Sequence, residues 1–307
     1  MKHHLKRAKR VYEDRGLADL ISSAVGYAPI EINNAIFRLR HGQGTHVMDE
    51  DWDTLILLDA CRYDMFADRV PFDGDLQSRI SLGSTSEEFL RQNFEDGSYH
   101  DTVYVNANVY FPEVGLNQDG TFHAVIDLLE EWDDDLEIVH PRTVTDAAKA
   151  AHDTYPDKRI IVHYMQPHIP FIGELGQEIQ TEIGYRNAWI PFRQNEDPIS
   201  IQRLWKGYKE NLDLVFEHVS ELLDHIEGRV AISADHGNML GDRQGPIPTK
   251  RMYGHPWGVY SDELVNVPWF VIPSNKRRSI SAESPQAGAQ YSDELITDRL
   301  RSLGYRE

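Results

Sequence analysis

Cysteine is nearly absent from this 307-residue chain, Cys61 being the single one. It can form no internal disulfide, and neither a four-thiolate zinc site nor an iron–sulfur cluster can be assembled from it. A reducing, cytoplasmic setting is therefore the expectation. Lysine is scarce too, nine against twenty-two arginines, while Asp and Glu number 50 and leave a formal net charge of -19. A surface so negative repels a phosphate backbone, which excludes general nucleic-acid binding. Acid-rich, lysine-poor surfaces suit work at high salt, where carboxylates stay hydrated and ions screen their repulsion, so a halophilic source is expected. No run of about 18 apolar residues occurs, and no transmembrane helix is expected. Also missing are a Gly-x-x-x-x-Gly-Lys-Ser/Thr loop, a Gly-x-Gly-x-x-Gly after a strand, His-Glu-x-x-His and Gly-x-Ser-x-Gly. These absences weigh against ATPase, dehydrogenase, zincin and serine hydrolase readings.

Positive charge, scarce overall, gathers at the start. Residues 1–45 carry eight basic and four acidic side chains, a net of +4, against -23 for the rest. The apolar run of a signal peptide does not follow, so this segment reads as a basic helical arm. It has two readings: peripheral contact with anionic lipid or a partner, or a solvated helix packed on the edge of the domain. Residues 46–307 are expected to form one domain.

Short apolar runs bounded by polar residues suit strands buried on both faces. They stand at Thr54–Leu58, Thr102–Val105, Arg159–Tyr164, Arg229–Ala234 and Val267–Ile272, with a weaker one at Glu137–Val139. Helical spacing occupies Ser86–Asn93, Gly120–Trp132, Thr143–Thr154, Ile201–Ile226 and Asp293–Leu303. This alternation predicts a three-layer α/β/α sandwich with a mainly parallel central sheet. Residues 172–200, with glycines, Pro191, Pro198 and the aromatics Tyr185, Trp189 and Phe192, read as a lid loop beside a site. Residues 274–291, rich in Ser, Ala, Arg and Pro, read as a mobile surface loop.

Ligands of such sheets gather at the carboxyl ends of the strands. There the sequence places Asp59, then His163 and His168, then Asp235-His236-Gly237-Asn238, with Gly254-His255-Pro256 ahead of the last strand. One strand-end Asp has the bland explanation of a helix cap, and one His that of a satisfied structural residue. Four such places together suit a divalent ion, since carboxylate and neutral imidazole are ligands for Zn²⁺, Mn²⁺ or Mg²⁺. In Gly83-Ser84-Thr85-Ser86-Glu87-Glu88, Thr85 and Glu88 have capping-box spacing, which puts hydroxyls at a helix N-terminus where negative charge is favoured. A hydroxyl beside a cation there becomes a nucleophile.

The ordered set Leu57-Leu58-Asp59, Gly83-Ser84-Thr85-Ser86, His168-Ile169-Pro170-Phe171, Ala234-Asp235-His236-Gly237-Asn238 and Gly254-His255-Pro256 resembles the alkaline phosphatase superfamily. The likeness is strongest to its sulfatase-like and phosphoglycerol-transferase branch, which includes lipoteichoic acid synthases. It runs from Asp53 to Pro273. The resemblance implies an alkaline phosphatase/sulfatase-like core in which Asp59, Thr85, Asp235 and His236 hold one divalent ion, Mn, Zn, Mg or Ca. It further implies that Thr85 is the nucleophile, with Ser86 next in line and Ser84 open, and that His168 and His255 bind substrate oxygens or protonate the leaving group. Arg62 would add bidentate anion binding, with a helix-capping or surface role as its alternative.

Two departures narrow this. A formylglycine sulfatase needs a Cys-x-Pro/Ala-x-Arg block, and Cys61 lies two residues past Asp59 in another setting. The Asp-x-x-x-His element of two-metal relatives is missing around His168, which favours one ion, although His168 and His255 leave room for a second. The expected function is hydrolysis or transfer of phosphate or sulfate esters through a covalent intermediate, with an anionic, glycan- or lipid-linked substrate. The competing reading is a catalytically silent member that binds an anionic glycan or lipid headgroup.

Overall fold

The computed structural model describes residues 26–116, 120–184, 187, 189–194, 196, 198–286 and 292–303. Helix α1 (26–41) leads into strand β1 (Thr54–Leu58), α2 (Tyr63–Arg69), β2 (Asp75–Ile80), α3 (Ser86–Phe94), β3 (Tyr99–Asn106) and α4 (Tyr110–Glu113). Then come β4 (Phe122–Asp127), β5 (Trp132–Asp133), β6 (Ile138–Val139), α5 (Pro141–Thr154), β7 (Arg159–Tyr164), α6 (Glu174–Ile183) and α7 (Trp189–Arg193). The long α8 (Ile201–Leu223), β8 (Val230–Ser233), the β9 (Met239–Asp242) and β10 (Met252–Gly254) hairpin, α9 (Asp262–Val265), β11 (Asn266–Ile272) and α10 (Asp293–Ser302) complete the chain.

A seven-stranded sheet in the order β2-β11-β8-β1-β7-β3-β4 forms the centre. From β8 to β4 every pairing is parallel, and β11 runs antiparallel to both β8 and β2. The central strand β1 is buried at all five positions because its side chains alternate between two cores. Ile56 and Leu58 join the core under α5 and α8, while Leu55 and Leu57 join the one under α3 with Phe89, Phe94 and Trp269. Helices thus cover both faces, and the fold is the expected three-layer α/β/α sandwich around a mainly parallel sheet.

Four expectations need correction. The helix over Gly120–Trp132 is instead the edge strand β4 followed by a turn and β5, with Ala124 and Ile126 in register with Val103 and Val105. Apolar spacing there fits either period, and the free edge of β3 decides for the strand, as tertiary context overrides propensity. The weak strand at Glu137–Val139 is the two-residue β6, paired with β5 outside the main sheet. The 172–200 segment is not a loop. It contains α6 and α7, and its aromatics Trp189 and Phe192 are 1% and 2% exposed, packed inward rather than poised over a ligand; Tyr185 lies outside the described residues. Of the 274–291 loop, residues 274–286 are described and lack regular structure, yet they are tied down by Lys158 to Glu283 (2.9 Å) and by Gln286 N to His123 O (2.7 Å). Residues 1–25 of the basic arm lie outside the described residues. From residue 26 the arm is helix α1, with Ile30 and Phe37 packed against Val259 and Leu264. The buried Asn33 and Asn34 amides donate to Ile247 O (2.7 Å) and Gly258 O (2.8 Å). Among the described residues no helix is long and apolar enough to cross a membrane.

One half-buried acid of the edge gives the fold a pH dependence. Burial pushes the Asp127 carboxyl, at the end of β4, up to about 7, although Asn106 and the Leu129 amide donate to it. Between its ordinary carboxylate range and about 7, the folded chain holds a proton that the unfolded chain has released. This contribution to stability is therefore complete below about pH 4 and lost as pH rises through about 7. Thermal unfolding of Asp127→Asn is expected to decline less steeply between about pH 5 and about pH 8 than that of the parent. An unchanged slope would remove Asp127 as the cause.

Candidate functional site

The carboxyl ends of the adjacent strands β8, β1, β7 and β3 point to one edge of the sheet, and the polar residues of the site sit there. β1 ends in Asp59, followed by Ala60 at φ 60, a left-handed conformation that costs an alanine about 1 kcal/mol. This turn lets Ala60 N donate to Asp235 Oδ1 at 3.0 Å, tying the loop after β1 to the loop after β8. His236 N donates to the same oxygen at 2.7 Å. Glycine is needed next: a Cβ on Gly237 would stand 2.1 Å from Glu263 O.

Asp59, Asp235 and His236 are buried and bring one ligand atom each within 4.8 Å of one another. His236 Nε2 is 3.6 Å from Asp59 Oδ1 and 3.6 Å from Asp235 Oδ2. His236 Nδ1 can only donate to the Gly237 carbonyl, at 2.7 Å, so in the neutral ring Nε2 presents a lone pair toward both carboxylates. Asp59 Oδ1 and Asp235 Oδ2 have no hydrogen-bond donor. Three buried acceptors facing one another repel unless a proton or a cation lies between them. Ligands bound tetrahedrally at about 2.0–2.2 Å stand roughly 3.3–3.6 Å apart, and His236 Nε2 keeps that spacing from both carboxylates. The donor set therefore fits a divalent ion. Burial, and then the charge of Asp235, push the Asp59 carboxyl well above the ordinary range. Burial acts the same way on Asp235, but the rings of His236 and His163 outweigh it and hold that carboxyl low.

Of the three neighbouring hydroxyls, the one that reaches the cluster is Ser86. Its Oγ lies 3.3 Å from Asp59 Oδ2 and 3.3 Å from His236 Nε2. Thr85, named above as ligand and nucleophile, is instead the N-cap of α3, its Oγ1 accepting from Glu88 N at 3.2 Å. An N-cap residue is extended and turns its hydroxyl back on its own helix, whereas the first helical residue projects outward. Ser84 Oγ is taken up by Glu88 Oε2 (2.9 Å) and Gly258 N (2.8 Å).

His168 and His255 do come together, with Nε2 atoms 3.0 Å apart, and the His255 ring stacks near His236 with centroids 4.6 Å apart. His168 Nδ1 donates to Ile169 O, so its Nε2 accepts from His255. Burial and then His236 hold His168 down at about 4, and burial, His236 and His168 keep His255 well below its usual value. Both rings are neutral near pH 7. Thr85 and His255 line a cleft of about 870 Å³. Arg62 is not among its walls. Its guanidinium is taken up by Asp64 (2.7 and 2.9 Å), Asp242 (3.0 Å) and Asn238 O (3.0 Å), and it lies over Trp205. Arg62 pins the loop after β1 to the β9 strand rather than presenting itself to an anion.

Sequence reasoning passed over Asn108 and Arg193, which the structure adds, and placed His163 at a strand end without giving it a role. Asn108 Nδ2 donates to Asp59 Oδ2 at 2.7 Å, and its Oδ1 accepts from Tyr110 N, which fixes the orientation of the amide. His163 is fully buried between Tyr104 Oη (2.8 Å) and Asp235 Oδ2 (3.7 Å), so it steadies a ligand. Arg193 of α7 donates to Tyr253 O at 3.1 Å and borders the cleft. The strand-end position of Asn108 was a usable signal. Arg193 sits in a segment with no pattern to mark it.

No protein-family profile and no curated protein matches the chain. Among solved structures, it is similar to the integral membrane lipooligosaccharide phosphoethanolamine transferase A of Neisseria meningitidis, with 13% identity and TM-score 0.48 over 90% of this chain and 59% of that one. The soluble domain of that transferase gives 12% identity and TM-score 0.45 over 72% and 76%. A protein in the alkaline phosphatase superfamily from Vibrio parahaemolyticus gives 12% and 0.43 over 74% and 60%. Likenesses this distant assign neither a family nor an activity.

Proposed function

We propose that the chain is a metal-dependent hydrolase or transferase of phosphate or sulfate esters, working through a covalent ester on Ser86. The observation that carries this reading is Ser86 Oγ standing 3.3 Å from both Asp59 Oδ2 and His236 Nε2, two members of the buried Asp59–Asp235–His236 cluster, beside a histidine pair whose His255 lines a cleft. A divalent ion held by these residues would supply the positive charge that polarises an ester oxygen and favours the Ser86 alkoxide. Ser86 Oγ attacks the phosphorus or sulfur and passes its proton to Asp59 Oδ2, to which it is already hydrogen-bonded. The bond to the leaving alkoxide breaks, and that oxygen takes a proton from water in the cleft. Asn108 holds Asp59 in place, and entering substrate would draw the His255 Nε2–H away from His168 onto a non-bridging oxygen. Water or an acceptor hydroxyl, giving its proton to the hydroxide left by the first step, then displaces Ser86 Oγ, which regains its proton from Asp59.

Incubating the metal-loaded chain with p-nitrophenyl phosphate, bis(p-nitrophenyl) phosphate or p-nitrophenyl sulfate, quenching in acid and mapping peptides by mass tests this. One phosphoryl or sulfuryl increment on the peptide containing Ser86, formed only with metal, is expected. Neither turnover nor increment with Mn²⁺, Zn²⁺, Mg²⁺ or Ca²⁺ would favour the silent binder instead.

A further inference from the structure

The approach to the site carries a charge that the rest of the chain does not. With 50 acids against 31 Lys and Arg, an arbitrary patch of this surface is acidic. The cleft at Thr85 and His255 shares Arg193, Lys250 and Tyr253 as walls with a neighbouring trough of about 680 Å³. Among the described residues the trough is lined by Arg193, Arg243, Lys250 and Arg251 and by no carboxylate. Lys250 and Arg251, both exposed, make no ion pair among the described residues, so their charge is available to a ligand. Arg243 is held to the hairpin by Thr249 O.

Arg193 joins the trough to the catalytic side. Its guanidinium packs over Gly254, next to His255, and a Cβ on that glycine, whose φ is 79, would stand 2.2 Å from Nη2. Its charge is felt at both His168 and His255. Tyr253 stacks on Phe192 with centroids 5.2 Å apart, giving the trough a rigid floor. Lys250 and Arg251, gathered with Arg193 and Arg243 in a chain otherwise short of cations, leave positive charge for a ligand of opposite sign.

Resting on the ester-transfer reading above, we infer that the trough is a second anion subsite, and that the substrate carries a further phosphate, sulfate or carboxylate beyond the group that reacts. Tripolyphosphate is the probe, titrated by calorimetry into the full, metal-free chain at about 0.1 M salt, where exposed charges more than about 10 Å apart are screened. Lys250→Ala/Arg251→Ala is expected to weaken its Kd by at least about tenfold. The control Lys206→Ala/Lys276→Ala removes the same charge from outside the trough and is expected to stay within about twofold. Equal losses in both variants, or no loss in either, would overturn the subsite. Because this readout needs neither metal nor turnover, the two readings fail separately. Selective binding by a chain that cleaves no ester sinks only the catalytic reading, and ester cleavage with binding indifferent to the trough sinks only the subsite.

Discussion

Ser86→Ala is expected to lower kcat for p-nitrophenyl phosphate by at least about 10³-fold, the scale seen when a covalent nucleophile is removed. The neighbouring variant Thr85→Ala should keep turnover within about tenfold while losing roughly 1 kcal/mol of stability, the cost of an N-cap. The contrast follows from where the two hydroxyls point. Ser86 Oγ is 3.3 Å from both Asp59 and His236, whereas Thr85 Oγ1 is occupied by the Glu88 amide. Ser86→Thr keeps a hydroxyl at the first helical position and should restore measurable turnover. A dead Thr85→Ala beside an active Ser86→Ala would reverse the assignment and restore the role that the motif order implies.

Metal-free protein should unfold several degrees below protein saturated with Zn²⁺ or Mn²⁺, since a ligand at about 100 times its Kd stabilises by about 2.7 kcal/mol. Asp59→Asn is expected to abolish this rise and all turnover. The same variant should nonetheless match or exceed the parent when both are metal-free near pH 7. It removes the carboxyl that burial and the charge of Asp235 disfavour in its ionised form. Two opposite signs from one substitution separate a cation site from a structural contact. A uniform loss of stability with and without metal would count against the site. Metal affinity should also fall with pH, because burial and the charge of Asp235 favour a proton on Asp59 that the cation must displace.

The sheet was largely legible because its strands are buried on both faces. Thr54–Leu58 and Arg159–Tyr164 are continuous apolar runs, and such runs announce themselves locally. The edges were not. β2 reads Asp-Leu-Gln-Ser-Arg-Ile and is half exposed, and β4 carries a spacing that also fits a helix. An edge strand is chosen by the neighbour it pairs with, which lies far away in sequence. The helices within 172–200 were hidden for the same reason: only the packed molecule shows that Trp189 and Phe192 are buried.

For the site, sequence alone determined the cast. Asp59, Asp235, His236, His168, His255 and a hydroxyl near a helix start are set by residue type and by position at strand ends, both local properties. Tertiary structure decided how they are arranged. It brought Ser86 rather than Thr85 to the cluster, since one residue of helix phase turns a hydroxyl from the cap to the cluster. It took Arg62 out of contention by surrounding it with Asp64 and Asp242, and it brought Arg193 to the cleft over Gly254. Direction and distance across the fold depend on pairs such as Ser86–His236 and Arg62–Asp242, 150 and 180 positions apart, and no spacing along the chain encodes them.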